Sequence, residues 1–252
     1  MRTVRLLPSL VAALALTALS CGDSEGATTT TVQTTSAPTT DTPTTTVPTT
    51  TVPTTVPTTD TPTTTAVDAP QLAIWPAGDV AFTTPDAAAD DFVRVVLGVT
   101  PLLGDFQAGD SRSGEIEVFS PGEGNPVSRS VLLLRKLGPT DGWFVIGAAN
   151  SAVSITSPQT GSEITVGPLT VAGSARGFES TVLVRAFVAG RATPLLDEVI
   201  TAGGAFETSE PYSVTVDLSG APAGSVITLL VRGDTGLSDD PGEFSAVPVI
   251  VR

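Results

Sequence analysis

The stretch PYSVTVDLSGAPAGSVITLLVR, residues 211–232, decides the fold. Val214, Val216 and Leu218 alternate with Ser213, Thr215 and Asp217, and Ile227, Leu229 and Val231 form a second set at the same spacing. A period of two with β-branched residues belongs to strands, because successive side chains point to opposite faces of a sheet. Gly220, Pro222 and Gly224 separate the two runs and supply the turn. The same rhythm holds from residue 153 to the C-terminus. It predicts short strands over Val153–Thr156, Leu169–Ser174, Thr181–Val188, Leu195–Thr201, Tyr212–Leu218, Ser225–Arg232 and Val247–Val251, with Gly, Pro and Asp clusters between them. That number of short strands in roughly a hundred residues is the pattern of an antiparallel immunoglobulin-like β-sandwich.

Within this region one run reads Gly167-Pro-Leu-x-Val171-x-Gly173-x-Ala175-x-x-Phe178-Glu179. It is preceded by Ile155-x-x-Pro158-x-x-Gly161 and followed by Val182, by Phe206 ahead of a strand ending at Leu218, by Val226–Val231, an acidic loop and a final Val247-Pro-Val. As a unit this resembles the immunoglobulin-like domain of bacterial spore germination proteins, over Ser154 to Arg252. The resemblance implies a lipoprotein or membrane-attached envelope protein with an accessory, interaction-type domain. The residues themselves read structurally. Pro168 opens a strand, where a lost donor is tolerated. Val171 is expected to point into the sandwich, Gly173 and Ala175 to permit close packing, Phe178 to plug the end of the core, and Glu179 to bond backbone amides of the turn.

Residues 71–152 read differently. Pro85–Gly98 is expected to be helical, with Thr84 as cap, Pro85 at the first position and Asp86 in the first turn. Ala88, Phe92, Val95 and Val96 share one face at helical spacing, and Gly98 is placed to end the helix. Strands follow over Gly114–Phe119, Ser130–Arg135 and Trp143–Gly147, the second more continuously apolar and hence expected to be more buried. One helix and a meander make a small α+β module. Asp86, Asp90 and Asp91 near the helix start are explained by the helix dipole. Trp75 and Trp143 are either core residues or the lining of a ligand surface.

The N-terminus is an address. Arg2 and Arg5 precede an apolar run from Leu6 to Leu19, and Ala18-Leu-Ser-Cys21 resembles the bacterial lipoprotein box, with cleavage between Ser20 and Cys21. Cys21 is the chain's single cysteine, a thiol with no competitor for the lipid. Two acyl chains, burying methylenes at about 0.8 kcal/mol each, anchor stably where one would be marginal. Residues 1–20 are therefore expected to be a signal peptide and residues 21–70 a disordered Thr/Pro-rich tether. Too few large apolar side chains lie there to offset the entropy of ordering. From Thr28 to Pro70 the tether reaches at most about 130 Å. A plain spacer and an O-glycosylated stalk both fit its composition.

The fold class expected is thus a small α+β module and an all-β immunoglobulin-like sandwich (153–252) behind a disordered linker. Composition narrows function. The chain of 252 residues carries a net charge of −14, which repels nucleic acid. It has no histidine, and of its 12 basic residues all but Lys136 are arginine. The commonest general base and metal ligand are missing, and no nucleophile–base pair, phosphate loop or spaced carboxylate pair stands out. No enzyme activity and no cofactor are expected. Asp234, Asp239, Asp240 and Glu243 are the candidate hard-oxygen ligands for calcium, although their spacing is not that of an EF-hand. Two functions compete: an anchored envelope protein whose sandwich meets protein or cell-wall partners, and a small-ligand or polysaccharide receptor using the α+β module. Mass spectrometry of the mature chain is expected to find Cys21 first and diacylglycerol-modified, and Cys21→Ser is expected to abolish detergent partitioning; an unmodified Cys21, or cleavage elsewhere, refutes the anchor.

Overall fold

The computed structural model describes residues 72–252 apart from Glu123 and Phe206. The expected signal peptide, the expected cleavage and lipidation at Ser20 and Cys21, the expected tether and Phe206 lie outside the described residues. In order, the chain forms α1 (Pro85–Phe92), β1 (Gln107–Ala108), β2 (Ser113–Ser120), β3 (Val127–Leu137), β4 (Gly142–Ala149), β5 (Ser154–Ser157), β6 (Glu163–Ile164), β7 (Pro168–Ala175), β8 (Thr181–Val188), β9 (Asp197–Ala202), β10 (Glu210–Asp217), β11 (Val226–Gly233) and β12 (Phe244–Val251). The expected strands are all present, and Thr181–Val188 matches at both ends. None of the helices among the described residues is long and apolar enough to cross a membrane.

One nine-stranded sheet runs β1-β2-β3-β4-β12-β11-β8-β9, with β6 parallel to β12. A three-stranded sheet, β10-β7-β5, covers its C-terminal half and completes the immunoglobulin-like sandwich. Between them lies a core of Val171, Ala175, Val182, Val184, Val216, Leu218, Ile227, Leu229, Val231, Val249 and Val251, all fully buried. Ile227, Leu229 and Val231 thus fill the sandwich as their alternation requires. The residues between them are not solvated: Thr228 and Leu230 are buried on the opposite face.

A second core covers that opposite face. It joins Ala88, Phe92, Val93, Val96 and Leu97 of the helix to Ile116, Val118, Leu132, Leu134 and Val145 of the meander. The same cluster contains Phe187, Leu230, Phe244 and Ala246 from β8, β11 and β12. Residues 72–152 therefore have no core separate from the sandwich strands. β4 joins the two halves of the sheet. Ala148 pairs with Ala246 of β12, while at its other end Val145 and Trp143 bridge to Trp75 and Phe82 of the N-terminal segment.

The helix starts as expected. Thr84 Oγ1 accepts the Ala87 amide at 3.3 Å, Pro85 is first, and Gly98 ends it in the left-handed region at φ 75°. Its second half differs. Val93–Leu97 is a π-helical turn, closed by hydrogen bonds one residue longer than in an α-helix. The buried positions become 88, 89, 92, 93, 96 and 97, a repeat of four. Val95, placed by ideal helical spacing on the inner face, is instead 47% exposed.

β3 also departs from expectation. Ser130, Leu132 and Leu134 are buried under the helix, but Val131 and Leu133 are half-buried, because the small sheet stops short of the meander and leaves that face uncovered. Leu230→Ala is expected to destabilise the chain by about 3 kcal/mol, through a cavity between helix and sandwich, and Val95→Ala by less than about 0.5 kcal/mol. Urea unfolding followed by tryptophan fluorescence checks both; equal effects would contradict the shared core and the π-turn.

Candidate functional site

The motif from Gly167 to Glu179 occupies β7 and the turn after it. Val171 and Ala175 are fully buried, as their spacing predicts. Gly173 is needed for close approach: a Cβ there would lie 1.9 Å from the Ser154 carbonyl oxygen on β5. The phenol of Tyr212 donates to that same oxygen at 3.0 Å. Burial pushes the Tyr212 hydroxyl well above the usual phenol range.

The motif's last two residues do not act as expected. Phe178 is 53% exposed and does not plug the core. Ala175 and Val182, on either side of the turn, already occupy the core there. Phe178–Ser180 is a short 3-10 turn in which Glu179 (φ 52°) and Ser180 (φ 61°) are left-handed, and the phenyl ring lies at the surface. Nor does Glu179 serve the turn amides. Phe178 donates to the Asp234 carbonyl at 2.6 Å and Ser180 to the Gly177 carbonyl at 3.1 Å. Two adjacent non-glycine residues with positive φ cost on the order of 1–3 kcal/mol each and persist only where the surroundings enforce them.

Beside Phe178 opens a hollow of about 420 Å³, lined by Arg129, Arg176, Glu179, Ala205, Glu207 and Glu243 among others. Arg176 grips Glu243 with two parallel bonds, Nε to Oε2 at 2.8 Å and Nη2 to Oε1 at 2.6 Å. Its third nitrogen reaches Glu207 at 3.2 Å. The Glu243 hydrogen bonds hold this guanidinium firmly charged. Arg129, from β3, bonds Ser120 Oγ at 2.9 Å and pairs with the buried Asp240. Arg232 of β11 donates to the Asp240 carbonyl at 2.9 Å and reaches the Leu97 carbonyl, at the end of the helix, at 3.4 Å. Burial lowers the Arg232 pKa from its ordinary value.

These pairings revise the calcium expectation. Asp240 is 2% exposed and turned onto Arg129, while its second oxygen accepts the Gly242 amide at 2.8 Å. Glu243 is held by Arg176. Asp234 Oδ1 accepts the Gly236 amide at 3.2 Å, and Asp239 is exposed. Among the described residues no group of three or more candidate ligands could hold a metal ion. The carboxylates expected to gather round a cation are instead distributed over arginines that tie the β11–β12 connection to the rest of the fold.

The tryptophans are likewise structural. Trp75 and Trp143 are each 7% exposed. The Trp75 indole donates to Asp91 Oδ2 at 2.8 Å. Trp143 packs edge-on against Phe106, ring centres 5.2 Å apart, with the Lys136 ammonium 5.3 Å from its ring centre. Neither lines an open ligand surface. Sequence reasoning missed Arg129, Arg176 and Glu207. Arg176 sits inside the motif between Ala175 and Gly177, but its partners are distant in sequence, and nothing local announces them.

The geometry defines an immunoglobulin-like sandwich with a surface hollow at one end. Residues 152–234 match the family described as the immunoglobulin-like domain of bacterial spore germination. This is the part of the chain that carries the motif and the Phe178 turn. No curated protein and no solved structure matches the chain. Arg129→Ala is expected to cost about 3 kcal/mol, because it leaves the Asp240 carboxylate buried without its cation; thermal unfolding checks this, and a loss below about 0.5 kcal/mol would show the pair to be dispensable.

Proposed function

We propose that this is a non-enzymatic, lipid-anchored protein of the bacterial cell envelope, whose immunoglobulin-like sandwich meets a protein or cell-wall partner. The observation that carries the reading is Phe178: within the segment that matches an immunoglobulin-like domain family, a large aromatic side chain is held at the surface, beside a hollow, by a turn of costly backbone geometry. Aromatic residues in surface hollows are the common anchors of protein interfaces. In this reading acylated Cys21 holds the chain to the outer face of the membrane, and residues 21–70 give the sandwich its reach. No cofactor enters, and the net charge of −14 disfavours nucleic acid as partner. The competing receptor reading loses its support with both indoles in the core.

A photo-crosslinking residue placed at Phe178 in the living cell tests the proposal. It is expected to trap a discrete envelope component, while the same group at exposed Val95 traps none. Equal labelling from both positions, or no product above the unirradiated control, would refute an interaction surface at this turn.

A further inference from the structure

We infer that the hollow beside Phe178 is a docking surface for a basic segment of a partner protein, seating one arginine or lysine side chain against the phenyl ring. The inference rests on the interaction reading above and adds the chemistry of the occupant.

The charges decide the sign. Two cations line the hollow, and both are already matched: Arg176 by Glu243 and Arg129 by Asp240. Glu179, Glu207 and Asp234 also line it; among the described residues Glu179 and Asp234 form no ion pair, although Asp234 acts on Arg232 at longer range, and Glu207 only shares Arg176. An incoming carboxylate or phosphate finds no free cation on these walls and meets surplus negative charge. An incoming guanidinium or ammonium meets carboxylates able to turn toward it. Glu207 is the most available: its side chain is 96% exposed and among the described residues it bonds only Arg176, at 3.2 Å through Oε2.

The phenyl ring completes the match. A cation is attracted to an aromatic face when it lies within about 6 Å of the ring centre. Gly236 packs against the Phe178 ring, so close that a Cβ there would be 3.2 Å from it. Ala205, which also lines the hollow, offers apolar surface for the methylene stem of a long basic side chain. With more than twice as many acidic as basic residues, 26 against 12, the chain as a whole also steers a basic partner inward.

Fluorescence anisotropy on the full-length chain in detergent, at low salt, tests this with three labelled peptides of one length: an arginine–alanine repeat, the same repeat with citrulline for arginine, and the same with glutamate. The arginine peptide is expected to bind and the other two not, with affinity falling as salt rises. Phe178→Ala and the double variant Glu179→Gln with Glu207→Gln should each weaken binding about fivefold or more. Glu115→Gln, on the far part of the sheet, should leave it unchanged. All these side chains are exposed, and an unchanged melting temperature shows that each variant folds. Equal binding of the citrulline peptide, or equal weakening by Glu115→Gln and Phe178→Ala, would overturn the proposal. Absence of arginine-peptide binding while the Phe178 crosslink persists would overturn the basic occupant alone; loss of both overturns the interaction surface with it.

Discussion

The structure depends on β11 and β12 being buried on both faces. In β11, Ile227, Leu229 and Val231 face the sandwich while Thr228 and Leu230 face the opposite core, and all five are at most 1% exposed. In β12, Val249 and Val251 face one core and Phe244 and Ala246 the other. A strand apolar on both sides must be covered on both sides, because each exposed large side chain forfeits about 1.5–3 kcal/mol of burial. The small sheet supplies one cover. The helix, the N-terminal segment and the meander supply the other. This is why the N-terminal region and the sandwich share a sheet and a core.

Once that central pair is covered, the polar groups at its end have to be satisfied locally. Arg232, rising from β11, donates to the Leu97 carbonyl at the end of the helix and braces the Asp240 carbonyl. Arg129 comes across from β3 to the Asp240 carboxylate, and Arg176 from the end of β7 to Glu243. Buried carboxylates without partners would cost several kcal/mol. The arginines remove that cost and hold the β11–β12 connection beside the turn after β7. Phe178 and Glu179 are then held at the surface next to a hollow whose basic groups are already occupied.

The strands were readable because their signals are local. Period-two alternation, Gly and Pro between runs, and a helix start at Thr84 and Pro85 survive in the folded chain. What was misplaced or left open shares one cause, contacts with residues distant along the chain. Val95 faced inward on an ideal helix, yet the π-turn over Val93–Leu97 turns it out. Trp75 and Trp143, open in sequence to a ligand role, are claimed by the core. Asp234, Asp239, Asp240 and Glu243 look like one acidic cluster along the chain, but partners far away in sequence disperse them.

By itself the sequence determined the classes of element, the sandwich, and the acidic, histidine-free composition. Those properties follow from composition and from periodicity over a few neighbouring residues. The tertiary structure decided which face of each apolar strand is covered, which arginine neutralises which carboxylate, and whether an aromatic residue is core or surface. Those outcomes depend on pairs such as Arg129 and Asp240, 111 residues apart. Coulombic pairing and exclusion of water act through space, and only the folded chain brings such groups within reach of each other.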